Sequence, residues 1–359
     1  DRFLFTTSVP PNVAIVLDNS GSMNHLVWHP AFDPTQTPTC TYFSNTTEYG
    51  VSSNTKLVGI CGNTRTIYHD SSSVGYTRVS GRYLNWLFSD AADPYISDID
   101  DDKNGTRACS GPGSPTYAKY QRNRLSASKQ VVLDTICRVE ATKAVRFGLA
   151  AFREPRDLAG LDPNGGYLQV GIEDHTPAHA SDLEAAIANA KADTWTPLAE
   201  SLFQVYTYFM GRSAGEQAAG ATSGTFPVYE YSRSPSDGGG KYDPSGPPNV
   251  PDCPLDFTCQ KNFVIMITDG EPTRDTFDAD PTSTAAGFAN YANLIGDFNP
   301  DGETEIPGNI DEQGFYLDDV AKFMHETDFR PDLTGEQTLD VYTIGFTTQG
   351  AANTLLQKT

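Results

Sequence analysis

The chain of 359 residues is long enough for one large α/β domain or two small ones. Its 25 basic and 46 acidic side chains give a net charge of -21, which argues against nucleic acid and anionic lipid as partners, because both are bound by basic surfaces. No stretch approaches the roughly 20 apolar residues that cross a bilayer, so no membrane span is expected.

Apolar runs and helical periodicity alternate along the sequence. The predicted strands are 12–18, 144–152, 167–172, 263–268 and 339–346, and the predicted helices are 125–139, 182–190, 198–210, 316–327 and 351–358. Strand 167–172 follows a Pro/Gly turn and is expected to form a hairpin with 144–152. A capping box of Ser181 and Glu184 opens helix 182–190, and Pro197 opens helix 198–210. This alternation is typical of an α/β fold with a doubly wound, mostly parallel sheet.

Three segments interrupt the alternation, at 23–122, 211–260 and 271–315. The first is rich in Gly, Asn, Thr, Ser and aromatic residues, and we expect it to form a cysteine-containing subdomain. The aromatic residues around Trp86 are expected to be the core of that subdomain. Segments 211–260 and 271–315 are interpreted as further insertions into the same domain.

Six cysteines lie outside the apolar runs, with no CxxC pair and no zinc-ligand spacing. They are Cys40, Cys61, Cys109, Cys137, Cys253 and Cys259. An even number of cysteines in Gly/Pro-rich loops indicates disulfides and an oxidising compartment, and free thiols are the alternative. Proximity along the chain favours Cys253–Cys259 and Cys40–Cys61, which leaves Cys109 to pair with Cys137.

Hard oxygen donors occur at sequence-distant positions where predicted strands end. In open α/β sheets, ligands bind at the carboxyl ends of the strands. Carboxylate and hydroxyl oxygens suit Mg²⁺, Mn²⁺ or Ca²⁺ better than zinc or copper. The predicted ligands of one such cation are Asp18, Ser20, Ser22, Thr196 and Asp269. Thr194 is the alternative threonine. With only two acids among five ligands, the cation would keep affinity for a further carboxylate.

Two other interpretations apply to the 18–22 segment. Its side chains are also typical of a strand-to-helix turn in which Asp and Ser cap backbone amides. An enzyme is disfavoured, because no Gly-x-Ser-x-Gly elbow surrounds Ser20 or Ser22. Asp18 also lacks the second acid two residues later that would suit a phosphoryl-transfer nucleophile. We therefore expect binding and not catalysis.

The motifs DNSGSM, TPLAESL and ITDGE, in this order, resemble the von Willebrand factor type A domain and its metal-ion-dependent adhesion site. The resemblance implies that the Asp-x-Ser-x-Ser residues bind the ion, that Thr196 is the threonine of the second loop, and that Asp269 is the strand-end acid, acting directly or through water. The segments TTSVPPNVAIVLDNSGSM, YLNWLF, KNFVIMITDGEPT and YLDDVAKFMHETDFRPDLTGEQTLDVYTIGF are more narrowly similar to the N-terminal region of the type IV pilus tip adhesins of the PilY family.

This resemblance implies a single type A domain decorated by insertions, secreted through the periplasm to the cell surface, the pilus tip or the outer membrane. It implies adhesion to host or other surfaces and a role in pilus assembly. The implied partners are a host-surface or extracellular protein that offers a carboxylate and the minor pilins of the tip. A C-terminal β-propeller is expected in the full-length protein. The alternative is a scaffold that primes the pilus tip and in which the cation is only stabilising.

Two acidic segments match the first half of a calcium-binding loop, with acids or amides at alternate positions before a glycine. Neither has a glutamate at the twelfth position, so a solvated acidic turn is the alternative. The candidate ligands are Asp98, Asp100, Asp102 and Asn104 in the first segment and Asp297, Asn299, Asp301 and Glu303 in the second.

Overall fold

The computed structural model describes residues 9–99, 122–140, 145–152, 166–210, 254–270, 272–273, 275, 298, 316–330, 333–346, 355–357 and 359. The chain divides into two compact units. The first unit comprises Asp1–Asn19, Ile136–Ile187 and Thr194–Thr359, and the second comprises Ser20–Thr135 and Ala188–Asp193. The predicted insertion 23–122 thus falls within the second unit.

In the described residues, strands β1 to β9 span Asn12–Leu17, Glu48–Val51, Thr55–Ile60, Asn63–Ile67, Thr77–Ser80, Arg146–Phe152, Gly166–Val170, Asn262–Thr268 and Asp340–Gly345. Helices α1 to α6 span Gly81–Leu87, Ile96–Ile99, Arg124–Glu140, Pro177–Asn189, Leu198–Met210 and Leu317–Glu326. Two 3₁₀ helices span Gly21–Asn24 and Asp90–Tyr95. None of these helices is long and apolar enough to cross a membrane.

The first unit is built on a five-stranded sheet in the order β7-β6-β1-β8-β9. Strands β6, β1, β8 and β9 run parallel, and β7 pairs with β6 in the antiparallel direction. In the centre of the sheet, Ile15 lies between Leu149 and Ile265. All six residues of β1 are buried, which explains its continuous apolar sequence. The predicted mostly parallel α/β sheet and the predicted hairpin are confirmed.

Helices α5 and α6 pack against this sheet in the core of the first unit. The buried cluster joins Val16 of β1 to Leu202 and Tyr206 of α5 and to Val320 and Met324 of α6. Burying a large apolar side chain contributes about 1.5–3 kcal/mol, so this cluster fixes α5 firmly to the sheet. Thr196 lies just before the start of α5. Packing further along this helix therefore also holds the helix start beside Thr196.

Helix α4 begins earlier than predicted, at Pro177. The hydroxyl of Thr176 accepts a hydrogen bond of 3.2 Å from the backbone N–H of His179, so Thr176 caps the helix. The predicted capping box of Ser181 and Glu184 is wrong, because Pro177 starts the first turn and the alanines that follow continue it.

The second unit contains two small antiparallel sheets, one of β2 and β5 and one of β3 and β4. The β3–β4 hairpin turns at Cys61 and Gly62, both of which have positive φ, at 48° and 84°. Such a two-residue turn matches the twist of the flanking strands. Tyr83, Trp86 and Phe88 are buried in the apolar cluster of this unit, which confirms that they belong to its core.

The cysteine predictions have mixed outcomes. Cys40 and Cys61 form the predicted disulfide. Cys259 is a free, exposed thiol, so the predicted Cys253–Cys259 bond is wrong. Beside Cys259, the side-chain oxygen of Gln260 accepts a hydrogen bond of 2.9 Å from the backbone N–H of Asp256. Cys137 is disulfide-bonded, and its pairing with Cys109 stays a prediction because Cys109 lies outside the described residues.

A buried carboxylate organises the polar interior of the second unit. Asp70 is 1% exposed and accepts hydrogen bonds from the backbone N–H of Ser72 at 2.8 Å and of Asn123 at 2.9 Å. It also accepts one from the hydroxyl of Ser126 at 2.7 Å. These three donors satisfy a charge that burial would otherwise penalise heavily.

Lys129 lies in the same network. Its ammonium group donates to the hydroxyl of Ser72 at 3.0 Å and to the carbonyl oxygens of Ala188 and Ala190, the first at 3.0 Å. Burial lowers the pKa of Lys129 to about 7. Because these hydrogen bonds use the protons of Lys129, this residue is placed to anchor residues 188–190 and not to act as a general base.

Candidate cation site

Asp18 directly follows β1 and is completely buried. Its backbone N–H donates to the carbonyl oxygen of Ile267 at 2.9 Å. Its carboxylate oxygen Oδ2 accepts a hydrogen bond of 2.6 Å from the hydroxyl of Thr268 and a longer one of 3.4 Å from the backbone N–H of Asp269. The end of β8 therefore fixes the direction in which the Asp18 carboxylate points.

Asn19 ties the same loop to the other neighbouring strand. Its side-chain oxygen accepts a hydrogen bond of 2.9 Å from the backbone N–H of Phe152, the last residue of β6. The loop after β1 is thus attached to β6 on one side and to β8 on the other. Since the strand order runs outward in both directions from β1, this edge is where an open α/β sheet binds ligands.

Asp269 follows β8 and is 5% exposed. The hydroxyl of Thr268, which donates to Asp18, also accepts a bond of 3.3 Å from the backbone N–H of Gly270. The carboxyl ends of two adjacent parallel strands therefore bring Asp18 and Asp269 to the same edge of the sheet. Thr268 holds these two segments together, and the sequence signal for it was a single polar residue at the end of an apolar run.

Thr196 lies just before α5 and is 5% exposed. Its backbone N–H donates to the hydroxyl of Thr273 at 3.0 Å, and its carbonyl oxygen accepts from the backbone N–H of Thr273 at 3.1 Å. The Thr196 loop is thereby joined to the segment that continues from Asp269. Thr194 is only half-buried, and it stays an alternative for the threonine role.

Asp275 accepts hydrogen bonds from the first turn of α5, and no sequence prediction named it. Its Oδ2 accepts a hydrogen bond of 3.0 Å from the backbone N–H of Ala199, and its Oδ1 accepts one of 3.1 Å from that of Glu200. Complete burial raises the pKa of Asp275 to about 8, although the bonds from the helix amides act in the opposite direction. No local spacing in the sequence links an acid so far along the chain to this helix.

Ser20 and Ser22 begin the second unit, directly along the chain from Asp18 and Asn19. Their hydroxyl oxygens are 2.8 Å apart. Ser20 stands at the start of the 3₁₀ helix Gly21–Asn24 but makes no side-chain capping bond to it. The interpretation in which Ser20 serves as a helix cap is therefore wrong.

The described residues contain no group of three or more His, Cys, Asp or Glu side chains placed to hold a metal. The predicted cation ligands would not form such a group, because only two of the five are carboxylates. The other three are hydroxyls, and all five are hard donors. Of the calcium candidates, Asp98 is an exposed residue of α2. The candidates outside the described residues are Asp100, Asp102, Asn104, Asp297, Asn299, Asp301 and Glu303.

No protein-family model, no curated protein and no solved structure matches the chain.

Proposed function

We propose that this chain binds one divalent cation, Mg²⁺ or a similar ion, and uses it to capture a carboxylate of a partner protein. The proposed ligands are Asp18, Ser20, Ser22, Thr196 and Asp269. One observation carries the proposal: the buried carboxylate of Asp18 is held by Thr268 beside the start of the Asp269 loop.

The chemistry of these donors supports a hard cation. Only two of the five proposed ligands are carboxylates, and the three neutral hydroxyls complete the shell without cancelling the attraction of the ion for an incoming carboxylate. The hydroxyls of Ser20 and Ser22 are close enough to each other, at 2.8 Å, to act on one ion. They follow Asp18 on the chain at alternate positions.

At the level of the whole protein, the proposal is a von Willebrand type A domain of the PilY kind that acts in attachment and pilus assembly at a type IV pilus tip. The ordered motifs around Asp18, Thr196 and Asp269 support it. The Cys40–Cys61 disulfide supports an oxidising, exported environment. The proposed activity is adhesion and not catalysis.

A second function is favoured by the burial of the ligands. Asp18 is completely buried, and Thr196 and Asp269 are each 5% exposed. Ligands so deep in the protein suit a cation that only stabilises a tip-priming scaffold. The two functions differ in whether the bound ion keeps a coordination position that a partner carboxylate can take.

The enhancement of water-proton relaxation by protein-bound Mn²⁺ distinguishes these functions. An adhesion site holds exchangeable water on the ion, and a short peptide with one glutamate displaces it and lowers the enhancement. The same peptide with glutamine in that position is the control and leaves the enhancement unchanged. If the glutamate peptide has no effect while Mn²⁺ still raises the melting temperature, the scaffold function replaces the adhesion function.

A further inference from the structure

The segment that follows Asp269 clamps the loop that carries Thr196. Thr273 and Thr196 exchange two hydrogen bonds, of 3.0 Å to the Thr273 hydroxyl and 3.1 Å from the Thr273 backbone N–H, in an isolated antiparallel bridge. These bonds hold the backbone of Thr196 itself, directly before the start of α5.

Asp275 holds the first turn of α5, which directly follows the Thr196 loop. Its two carboxylate oxygens take the backbone N–H groups of Ala199 and Glu200 at 3.0 and 3.1 Å. These amides lie in the first turn of α5, where the N–H groups have no partner within the helix. Pro197 supplies no side-chain acceptor of its own, so the cap comes from Asp275.

We infer that Asp275 is a positioning residue for the cation site, which fixes the Thr196 loop relative to Asp269 and so sets the affinity for the ion. This inference rests on the proposed function. The same short segment contains Asp269, Thr273 and Asp275. It therefore contributes one proposed ligand, Asp269, and orients another, Thr196. Any partner or force that draws this segment from α5 would lower the cation affinity.

The mechanism is a change in the fraction of molecules whose loop is ready to bind. The apparent dissociation constant rises in inverse proportion to that fraction. Loss of a helix cap shifts a local equilibrium by about two- to thirtyfold. Replacement of Asp275 is therefore expected to raise the dissociation constant of Mn²⁺ by about three- to tenfold.

The test compares Mn²⁺ affinity with stability in the complete chain. Asp275→Ala is compared with Thr176→Ala, which removes the cap of α4 in the same unit without a bond to the Thr196 loop. Mn²⁺ dissociation constants are measured by electron paramagnetic resonance, and melting temperatures are measured in EDTA. We expect a lower melting temperature in both variants. Only Asp275→Ala is expected to bind Mn²⁺ more weakly than the wild type.

Thr273→Val gives an independent test that also serves if Asp275→Ala does not fold. It removes the hydroxyl that accepts from Thr196 N and keeps the backbone bond, and Thr273→Ser restores the hydroxyl. Weaker Mn²⁺ binding in Thr273→Val, recovered in Thr273→Ser, supports the clamp. Wild-type affinity in both Asp275→Ala and Thr273→Val overturns this inference and leaves the proposed function standing. Absence of Mn²⁺ binding by the wild-type chain overturns both.

Discussion

The hydroxyl of Thr268 donates a hydrogen bond of 2.6 Å to Oδ2 of Asp18, between residues 250 positions apart in the sequence. Both side chains are completely buried. The bond joins the ends of two adjacent parallel strands, β1 and β8. It therefore stabilises the first unit and orients the carboxylate that we propose as a cation ligand.

Replacement of Thr268 by Val keeps the shape of the side chain and removes the hydroxyl. A hydrogen bond to a charged group contributes about 1.5–3 kcal/mol, so we expect the free energy of unfolding to fall by about 2 kcal/mol in EDTA. Mn²⁺ affinity should also fall, because Asp18 loses the donor that fixes its direction. Urea unfolding and Mn²⁺ titration measure the two effects. Thr268→Ser is the control, and a Val variant with unchanged stability and affinity would contradict the role given to this bond.

The Cys40–Cys61 disulfide closes a loop across a sequence separation of 21 residues in the second unit. Cross-links over loops of this size typically contribute about 2–4 kcal/mol, largely by restricting the unfolded chain. Replacement of both cysteines by Ala should therefore lower the free energy of unfolding by about 3 kcal/mol. Urea unfolding followed by tryptophan fluorescence reports on Trp28 and Trp86 in this unit. An unchanged unfolding midpoint would show that other contacts hold the loop.

Cys259 is free and exposed, so iodoacetamide should modify it in the native protein without a reducing agent. Peptide mass mapping should find the label on Cys259 and should find the peptides of Cys40 and Cys61 still joined. A disulfide between Cys253 and Cys259 would block the label and would restore the pairing that sequence proximity favoured. Dithiothreitol treatment before alkylation is the control for the reactivity of each cysteine.

Lys129 gives the protein a distinct dependence of stability on pH. Burial lowers its pKa from 10.5 to about 7 in the folded state, the charge of Lys191 lowers it further, and Asp70 acts in the opposite direction. Between these two pH values the unfolded chain binds more protons than the folded chain, so this group makes unfolding less favourable as the pH rises. The stability it contributes is complete above pH 10.5 and is lost as the pH falls through about 7.

We expect the free energy of unfolding of the wild type to increase between pH 7 and 9 relative to Lys129→Met, by up to about 1.4 kcal/mol per pH unit. Both proteins carry Cys259→Ser, because thiolates exchange with disulfides at alkaline pH. Residue 129 does not titrate in the Met variant, so this variant is the reference for the pH dependence that Lys129 contributes. A difference that stays constant with pH would show that Lys129 has an ordinary pKa.

The strands of the first unit could be predicted from the sequence because burial on both faces produces continuous apolar runs. The bounds of the predicted strands 12–18 and 263–268 agree with those of β1 and β8 to within one residue. Helix α5 was predicted at its observed bounds, since Pro197 marks its start and its apolar residues mark its length. These signals are local and therefore visible in the sequence.

Contacts that join distant segments left no such signal. The bonds of Asp275 to α5 and of Lys129 to residues 188 and 190 depend on how elements pack. The start of α4 was misplaced because Ser181 and Glu184 fit a capping box that Thr176 makes unnecessary. The predicted Cys253–Cys259 bond failed because closeness in sequence does not set the direction of a side chain.

Titration of the 359-residue chain with Mn²⁺ tests the central claim most directly. Wild type, Asp18→Ala and Asp269→Ala are compared by isothermal calorimetry, with Asp90→Ala as a control for loss of one exposed acidic charge. The proposed site predicts that one Mn²⁺ binds to the wild type and to Asp90→Ala, that this binding is lost in Asp18→Ala, and that it is weakened or lost in Asp269→Ala. A folded Asp18→Ala variant that binds Mn²⁺ with wild-type affinity would contradict the site, as would a wild-type chain that binds none.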